Sequence, residues 1–363
     1  MNAVTLLLRT VLLGAVVVSQ LAAAPVRTSA PRPPVPYDVN SYLHPQRLVD
    51  IGGRRLNILC TGTGSPAVIL EAGLVADAAA WRLVQPAISR RTKVCSYDRA
   101  GLGFSDPAGA PRDAAAIVAD LHTLLRRADI PPPYVLVGWS SGGVYTRLYQ
   151  YRFPHEVTGL VEVDPDSEFE TDDAAIVTAV MKRPLHWYHD QERAFYQQFD
   201  DCAADLARGT CAFFRGGLNA YRQRIRAAGC PKISPPTCAL EEMRGLELSR
   251  PSLWKDEALE LDASRRSAAE LRAAHRPYGS LPLIVLTDSR EDDIDGNGPI
   301  TAAAQRATWA AKEKAEEHIA GLSAVGAHYV IAHSPHAIQL FHPTVVISAV
   351  DEVVDQARYN RPR

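Results

Sequence analysis

The chain has 363 residues, 47% of them hydrophobic and 22% charged, which is too apolar for a disordered chain and long enough to bury a sizeable core without metal or disulfide supports. The 39 Lys and Arg nearly balance the 41 Asp and Glu, for a net charge of −2, so no overall positive field draws the chain to nucleic acid. A single apolar stretch near the N-terminus excludes a multi-pass membrane protein.

That stretch, residues 10–24, follows Arg9 and ends in Ala22, Ala23 and Ala24. It is short for a spanning helix and suits the core of a signal peptide. Residues 1–24 are therefore read as an export leader, the alternative being an uncleaved segment that tethers the chain to a membrane. Residues 25–40, with Pro31, Pro33, Pro34 and Pro36, read as an extended tether. A hairpin follows: 48–51, the turn Gly52-Gly53, then 55–60. Short apolar runs at 68–70 and 94–97 read as strands, and 114–128 as an amphipathic helix with Ile117, Leu121, Leu124 and Leu125 on one face. After Pro131–Pro133 come a buried strand (134–137), a helix (142–152) and a strand (160–163). Two more strands, 283–287 and 329–332, bracket a helix over 302–320. Strands alternating with helices predict an α/β fold with a mostly parallel sheet covered on both faces. Residues 165–280 break that rhythm. They are long, charged, Arg- and aromatic-rich and mainly helical in pattern, and read as an insertion between two pieces of a catalytic domain, 41–164 and 281–363.

Gly138-Trp139-Ser140-Ser141-Gly142 stands where a strand turns directly into a helix. A serine on so tight a turn sits in strained backbone geometry, and flanking glycines remove the clashes that side chains would cause. Ser140 Oγ is then exposed at the C-terminal edge of the sheet, beside the positive end of the helix. Ser140 is the predicted nucleophile. The Ser141 N–H is placed as one donor to an oxyanion.

These residues, with Leu70-Glu71-Ala72-Gly73-Leu74, Tyr97-Asp98-Arg99-Ala100-Gly101-Leu102-Gly103-Phe104-Ser105-Asp106 and Ser334-Pro335-His336-Ala337-Ile338-Gln339-Leu340, make the chain resemble the α/β-hydrolase superfamily, in its lidded serine esterase, peptidase and haloperoxidase-like group. The resemblance covers about residues 45–164 and 281–358. It implies the α/β-hydrolase fold, a mostly parallel doubly wound sheet with 165–280 as an inserted helical lid. It also implies that the Leu74 N–H joins that of Ser141 in the oxyanion hole, although Ala72-Gly73 stands where relatives often carry His-Gly. Trp139 replaces a frequent His, and is read either as pocket wall or as sheet-side packing.

The general base must follow the last strand. Of His328, His333 and His336 the resemblance selects His336. His333 is the runner-up, His328 fits strand packing and His342 a helix entrance. The acid follows one of two strands. Asp164 occupies a position resembling the acid site of some haloalkane dehalogenases and lipases. Glu291 lies where most relatives place theirs, but Asp288 stands in place of the usual preceding Gly. Asp164 is the choice, Glu291 the alternative, with Asp288 and Asp292 behind. Residues 293–298 match half of a calcium loop, with oxygens at positions 1, 3 and 5 and Gly at 6, yet Ala304 stands at position 12 instead of Glu. The segment is read as a solvated acidic turn, and no metal is assigned.

The six cysteines contain no C-x-x-C pair, which speaks against zinc. Their even number in an exported chain predicts disulfides. The fold implied by the resemblance puts the strands of Cys60 and Cys95 side by side. The insertion then holds Cys202–Cys211 and Cys230–Cys238, the pairing with the shortest loops among three, and Trp187, Tyr188, Phe195, Tyr196, Phe199, Phe213 and Phe214 either line its roof or pack within it. The expected activity is cleavage of an ester or small amide by an exported serine hydrolase with no cofactor. The alternatives are an aminopeptidase or cofactor-free perhydrolase on the same triad, or a silent ligand-binding relative. The expected partner is a small-molecule substrate, with no nucleic acid; no protein partner is inferred.

Overall fold

The computed structural model describes residues 35–169, 173–205, 211, 218–220, 223, 235–289 and 300–359. The leader and most of the tether lie outside them, as do Glu291, Asp292, the 293–298 turn, Cys230, Phe213 and Phe214.

The eight strands are β1 (Leu48–Asp50), β2 (Arg55–Thr61), β3 (Ala67–Glu71), β4 (Val94–Tyr97), β5 (Tyr134–Trp139), β6 (Val157–Val163), β7 (Leu283–Asp288) and β8 (Ala327–Ile331). They form one sheet in the order β1-β2-β4-β3-β5-β6-β7-β8. The β1–β2 and β2–β4 pairs are antiparallel, and the other pairs are parallel. This is the α/β architecture expected from the alternation of elements. The β8 strand begins two residues earlier than its apolar run suggests, because pairing with β7 starts at Ile284↔Ala327.

The period of two along each central strand sends alternate side chains into two separate cores. In β5, Tyr134 and Leu136 enter one with Ile69 of β3; Val135 and Val137 enter the other with Val68 and Leu70. The helices Ala114–Arg127 and Ser141–Arg152 cover the first face through Leu121, Leu124 and Leu148. Helix Pro343–Tyr359 covers the second through Val346, Val350 and Val353. Ala114–Arg127 forms where the apolar spacing predicts, with the Asp113 carboxylate accepting the Ala116 N–H at 3.0 Å as N-cap. Arg126 and Arg127 sit at its negative end.

Between β6 and β7 the described helices are Asp173–Met181, Leu185–Asp205, Pro235–Leu248, Pro251–Asp262 and Ser264–Ala274. Phe199, Cys202, Cys211, Leu253, Trp254 and Ala258 build a small core of their own there, joined by Leu102 of the sheet domain. Phe199 meets Trp254 edge-on at 5.9 Å, so this aromatic packs within the insertion. Leu271 instead joins the first sheet core. Among the described residues no helix is long and apolar enough to cross a membrane.

Cys60 and Cys95 are opposite one another in the β2–β4 register and are disulfide-bonded, as are Cys202 and Cys211. The expected Cys230–Cys238 pair is not described, because Cys230 lies outside the described residues. The first bridge closes a sequence separation of 35, which in the chain-entropy model contributes about 4 kcal/mol. Replacing both Cys60 and Cys95 by Ser is expected to lower the unfolding free energy by that amount in urea titrations. Unchanged stability would mean the bridge constrains nothing in the unfolded chain.

Candidate active site

Ser140 sits between β5 and helix Ser141–Arg152 with φ +56° and ψ −127°. That conformation is costly for a non-glycine residue and persists only where surrounding structure enforces it. Here the enforcement is visible. The Ser140 N–H donates to the Val163 carbonyl at 3.2 Å, and the Ser140 carbonyl accepts from Gly143 and Asp166, both at 2.9 Å. A Cβ on Gly138 would come within 2.6 Å of Thr146 Oγ1, and one on Gly142 within 2.5 Å of the Glu71 carbonyl. The glycines of the motif are thus required by close backbone approach. A Cβ on Gly73 would lie 2.9 Å from Ser140 Cβ, so the 72–75 loop passes directly over the serine and brings Leu74 to its edge.

The strand register explains how Asp164 comes beside Ser140. Trp139 pairs with Val163 across β5 and β6, so the next residue of each strand, Ser140 and Asp164, emerges at the same C-terminal edge, where open α/β sheets place their sites. Asp164 is fully buried and turns with φ +45°, a conformation that Asp tolerates better than most side chains. Its Oδ1 accepts the Asp288 N–H at 3.0 Å. Its Oδ2 is hydrogen-bonded to Nδ1 of His336 and lies 2.8 Å from the Lys312 ammonium. Burial pushes the Asp164 carboxyl up, but the His336 hydrogen bond and the Lys312 and His336 charges outweigh it and hold the group well below the usual carboxylate range. An ionised carboxylate only accepts, so Nδ1 carries the proton and Nε2 is the basic nitrogen.

His336 reaches this point from the loop between β8 and the short helix Ile338–Phe341. Trp139 holds it there: the indole N–H donates to the His336 carbonyl at 3.0 Å, and the two rings are 5.3 Å apart. That tether is a role neither sequence reading of Trp139 contained, because it joins residues 197 apart. The other histidines are placed differently. His328 Nε2 is 2.7 Å from Thr287 Oγ1, and burial lowers its basicity; His342 Nε2 contacts the His333 carbonyl at 3.3 Å. Asp288 serves Asp164 through its backbone N–H. The alternative acid Glu291 falls outside the described residues. Asp164, Asp288 and His336 bring ligand atoms within 4.8 Å of one another, but His336 Nδ1 and Asp164 Oδ2 are already engaged with each other and with Lys312, so the group is not read as a metal centre.

A second buried network holds the loop over Ser140. Arg99 is 2% exposed and donates to the Ala72 and Gly73 carbonyls at 2.6 and 2.8 Å. It also pairs with Glu71 at 3.1 Å and Glu260 at 2.9 Å. Burial raises the Glu71 carboxyl to about 7 against the pull of Arg99. On the far side of the loop the Val75 N–H donates to Glu257 Oε2 at 2.7 Å. The Tyr97–Asp106 motif marks Arg99 in the sequence, yet its partners Glu257 and Glu260 sit in the insertion and carry no local signal. Arg99→Leu leaves the buried Glu71 without its cation and Glu260 with only Arg112, at 4.0 Å. It is expected to cost about 3–5 kcal/mol of stability, read as a lowered denaturation midpoint; a shift below about 1 kcal/mol would mean the network is already neutralised by protons.

A cavity of about 390 Å³ bordered by Leu74 and Trp139, the neighbours of the oxyanion loop and the elbow, is lined by Leu240, Met243 and Leu340 and by the charged Asp77, Arg82, Glu241, Arg244 and Glu247. Its size suits a small organic substrate.

Residues 66–206 match a family model described as "alpha/beta hydrolase fold". The chain is 35% identical over 104 residues to the uncharacterized protein YqjL of Bacillus subtilis, covering 29% of this chain and 41% of that one. It is also 35% identical over 119 residues to a 2-hydroxy-6-oxo-2,4-heptadienoate hydrolase of Pseudomonas putida, covering 32% and 42%. The chain thus spans less than half the length of these curated relatives. A thermophilic esterase from Thermogutta terrifontis superposes with a TM-score of 0.54 at 19% identity, over 84% of this chain and 94% of the esterase, a likeness of fold.

Proposed function

We propose that this chain, a member of the α/β-hydrolase superfamily, is an exported serine hydrolase that cleaves a small ester through an acyl-enzyme. The observation carrying this reading is the Asp164–His336 hydrogen bond at the strand edge where register places Ser140 next to Asp164. His336 Nε2 takes the Ser140 proton as Oγ attacks the ester carbonyl. The N–H groups of Leu74 and Ser141 receive the developing oxyanion. The tetrahedral intermediate collapses as His336 returns the proton to the leaving alcohol, and a water activated by the same imidazole releases the acid. Asp164 orients the ring and stabilises the imidazolium. Ser140 in the elbow separates this chemistry from attack by a carboxylate nucleophile. The cavity bordered by Leu74 and Trp139 receives the acyl or alcohol group, and residues 165–280 serve as its lid. The leader at 1–24 and the disulfides support export to an oxidising compartment.

A panel of p-nitrophenyl esters set beside aminoacyl anilides tests the assignment. Turnover of short and medium acyl esters, with little on anilides, is expected. The reverse preference would move the chain to the aminopeptidases, and no turnover of either would favour the silent binding protein.

A further inference from the structure

Helix Ala302–Ala320, between β7 and β8, delivers a cation to the underside of the Asp164–His336 pair. Lys312 Nζ lies 2.8 Å from Asp164 Oδ2, the oxygen that also bonds His336, and 3.4 Å from Glu316 Oε1 one turn along the same helix. The Lys312 side chain is 16% exposed and both carboxylates are fully buried. A lysine carries a high side-chain entropy and desolvation cost, so its fixed position against this carboxylate calls for a role. Serine–histidine–carboxylate chemistry requires no such cation.

Resting on the serine-hydrolase reading above, we propose that Lys312 is a positioning residue of the triad, a fourth charged member that fixes the Asp164 carboxylate from below in the orientation that bonds His336. The charged and titratable groups that act on that carboxylate are Asp288 on β7, Asp166 beyond β6, His336 on the loop after β8, and Lys312 with Glu316 on the helix. Burial pushes Glu316 well above the usual carboxylate range, opposed in part by Lys312. Of the two carboxylates, Asp164 is the nearer to the ammonium, at 2.8 Å against 3.4 Å for Glu316.

The consequence has a definite sign. A cation beside Asp164 offsets part of the negative field that would otherwise stabilise the His336 imidazolium. The site consequently stays active further into acid than it would without Lys312. Removing the cation leaves that field unopposed and is expected to move the acid limb of activity upward, by about one pH unit for a charge at this range.

The test is the pH profile of kcat/KM on an ester substrate for the full chain, Lys312→Met, Lys312→Gln and Lys312→Arg, together with the pH dependence of fluorophosphonate labelling. In the two neutral variants the midpoint of the acid limb is expected to rise by about one unit in both readouts, the loss appearing in kcat with KM unchanged; the Arg variant keeps the wild-type midpoint. A merely structural lysine would lower the active fraction without moving the limb, and superimposable profiles would overturn the proposal. Should neither neutral variant fold, Lys312→Ala is read in their place beside Lys312→Arg: a limb raised in the Ala variant and unmoved in the Arg variant supports the proposal, and profiles that coincide overturn it. Failure of the underlying reading looks different, because a wild-type chain that fluorophosphonate does not label has no serine base to tune.

Discussion

Ser140→Ala is expected to lower kcat on esters by about 10⁶-fold, the scale on which a nucleophile acting as a unit with its base is lost, while the fold is retained. The reason lies in the geometry of the turn. Every restraint on residue 140 acts through its backbone: its N–H is bonded to Val163 and its carbonyl to Gly143 and Asp166. An alanine keeps all three bonds and the same positive-φ conformation. Its Cβ occupies the position that Gly73 already accommodates. The variant therefore removes one oxygen from an otherwise unchanged site. Circular dichroism and thermal melting should superimpose on the wild type, and a residual rate above about 1% would place the nucleophile elsewhere.

Asp164→Asn is the second large effect. The amide retains an oxygen for the Asp288 N–H, but its NH₂ group faces His336 Nδ1 where an acceptor is required. The ring then turns to the tautomer whose Nε2 carries the proton and cannot serve as base. A loss of about 10⁴-fold in kcat is expected. Lys312 loses the nearer of its two carboxylates in the same step and keeps Glu316 at 3.4 Å, so stability falls as well, by less than the ~3–5 kcal/mol of a wholly unpaired buried charge. Glu291→Gln is the necessary comparison. If it, and not Asp164→Asn, abolishes turnover, the acid belongs to the segment after β7.

These two predictions differ in how far the sequence alone supports them. The elbow is a local feature: Gly138, Ser140 and Gly142 lie within five residues, and each answers a steric demand of the same turn. The central strands were equally legible, since Val135 and Val137 alternate with Tyr134 and Leu136 between two cores, and the helix Ala302–Ala320 has the bounds its pattern predicts. The acid is different in kind. Choosing Asp164 over Glu291 requires knowing which strand edge faces His336, and that follows from the Trp139↔Val163 register and a contact across 172 residues. Local spacing carries no such information.

The same limit explains what was missed. Trp139 tethers His336 through a carbonyl, an interaction any backbone can accept, so no residue type at the far end announces it. Arg99 stands in a recognisable motif, but the carboxylates that balance it, Glu71 and Glu260, come from a strand and from the insertion. Lys312 reads in sequence as one more charge on a solvated helix face, beside Glu313 and Lys314. Only the packing of that helix beneath β7 and β8 turns it toward Asp164. Together these contacts tie the insertion and the last helices to one strand edge, which is how a chain with near-balanced charge gathers a dense buried set of ions around a single serine.

The most direct measurement of the central claim is the intact mass and peptide map of the full chain after reaction with a fluorophosphonate. A single phosphonyl adduct on the peptide carrying Ser140 is predicted, absent from Ser140→Ala and strongly slowed in Asp164→Asn. A wild-type chain left unmodified, or an adduct that persists in Ser140→Ala, would contradict it.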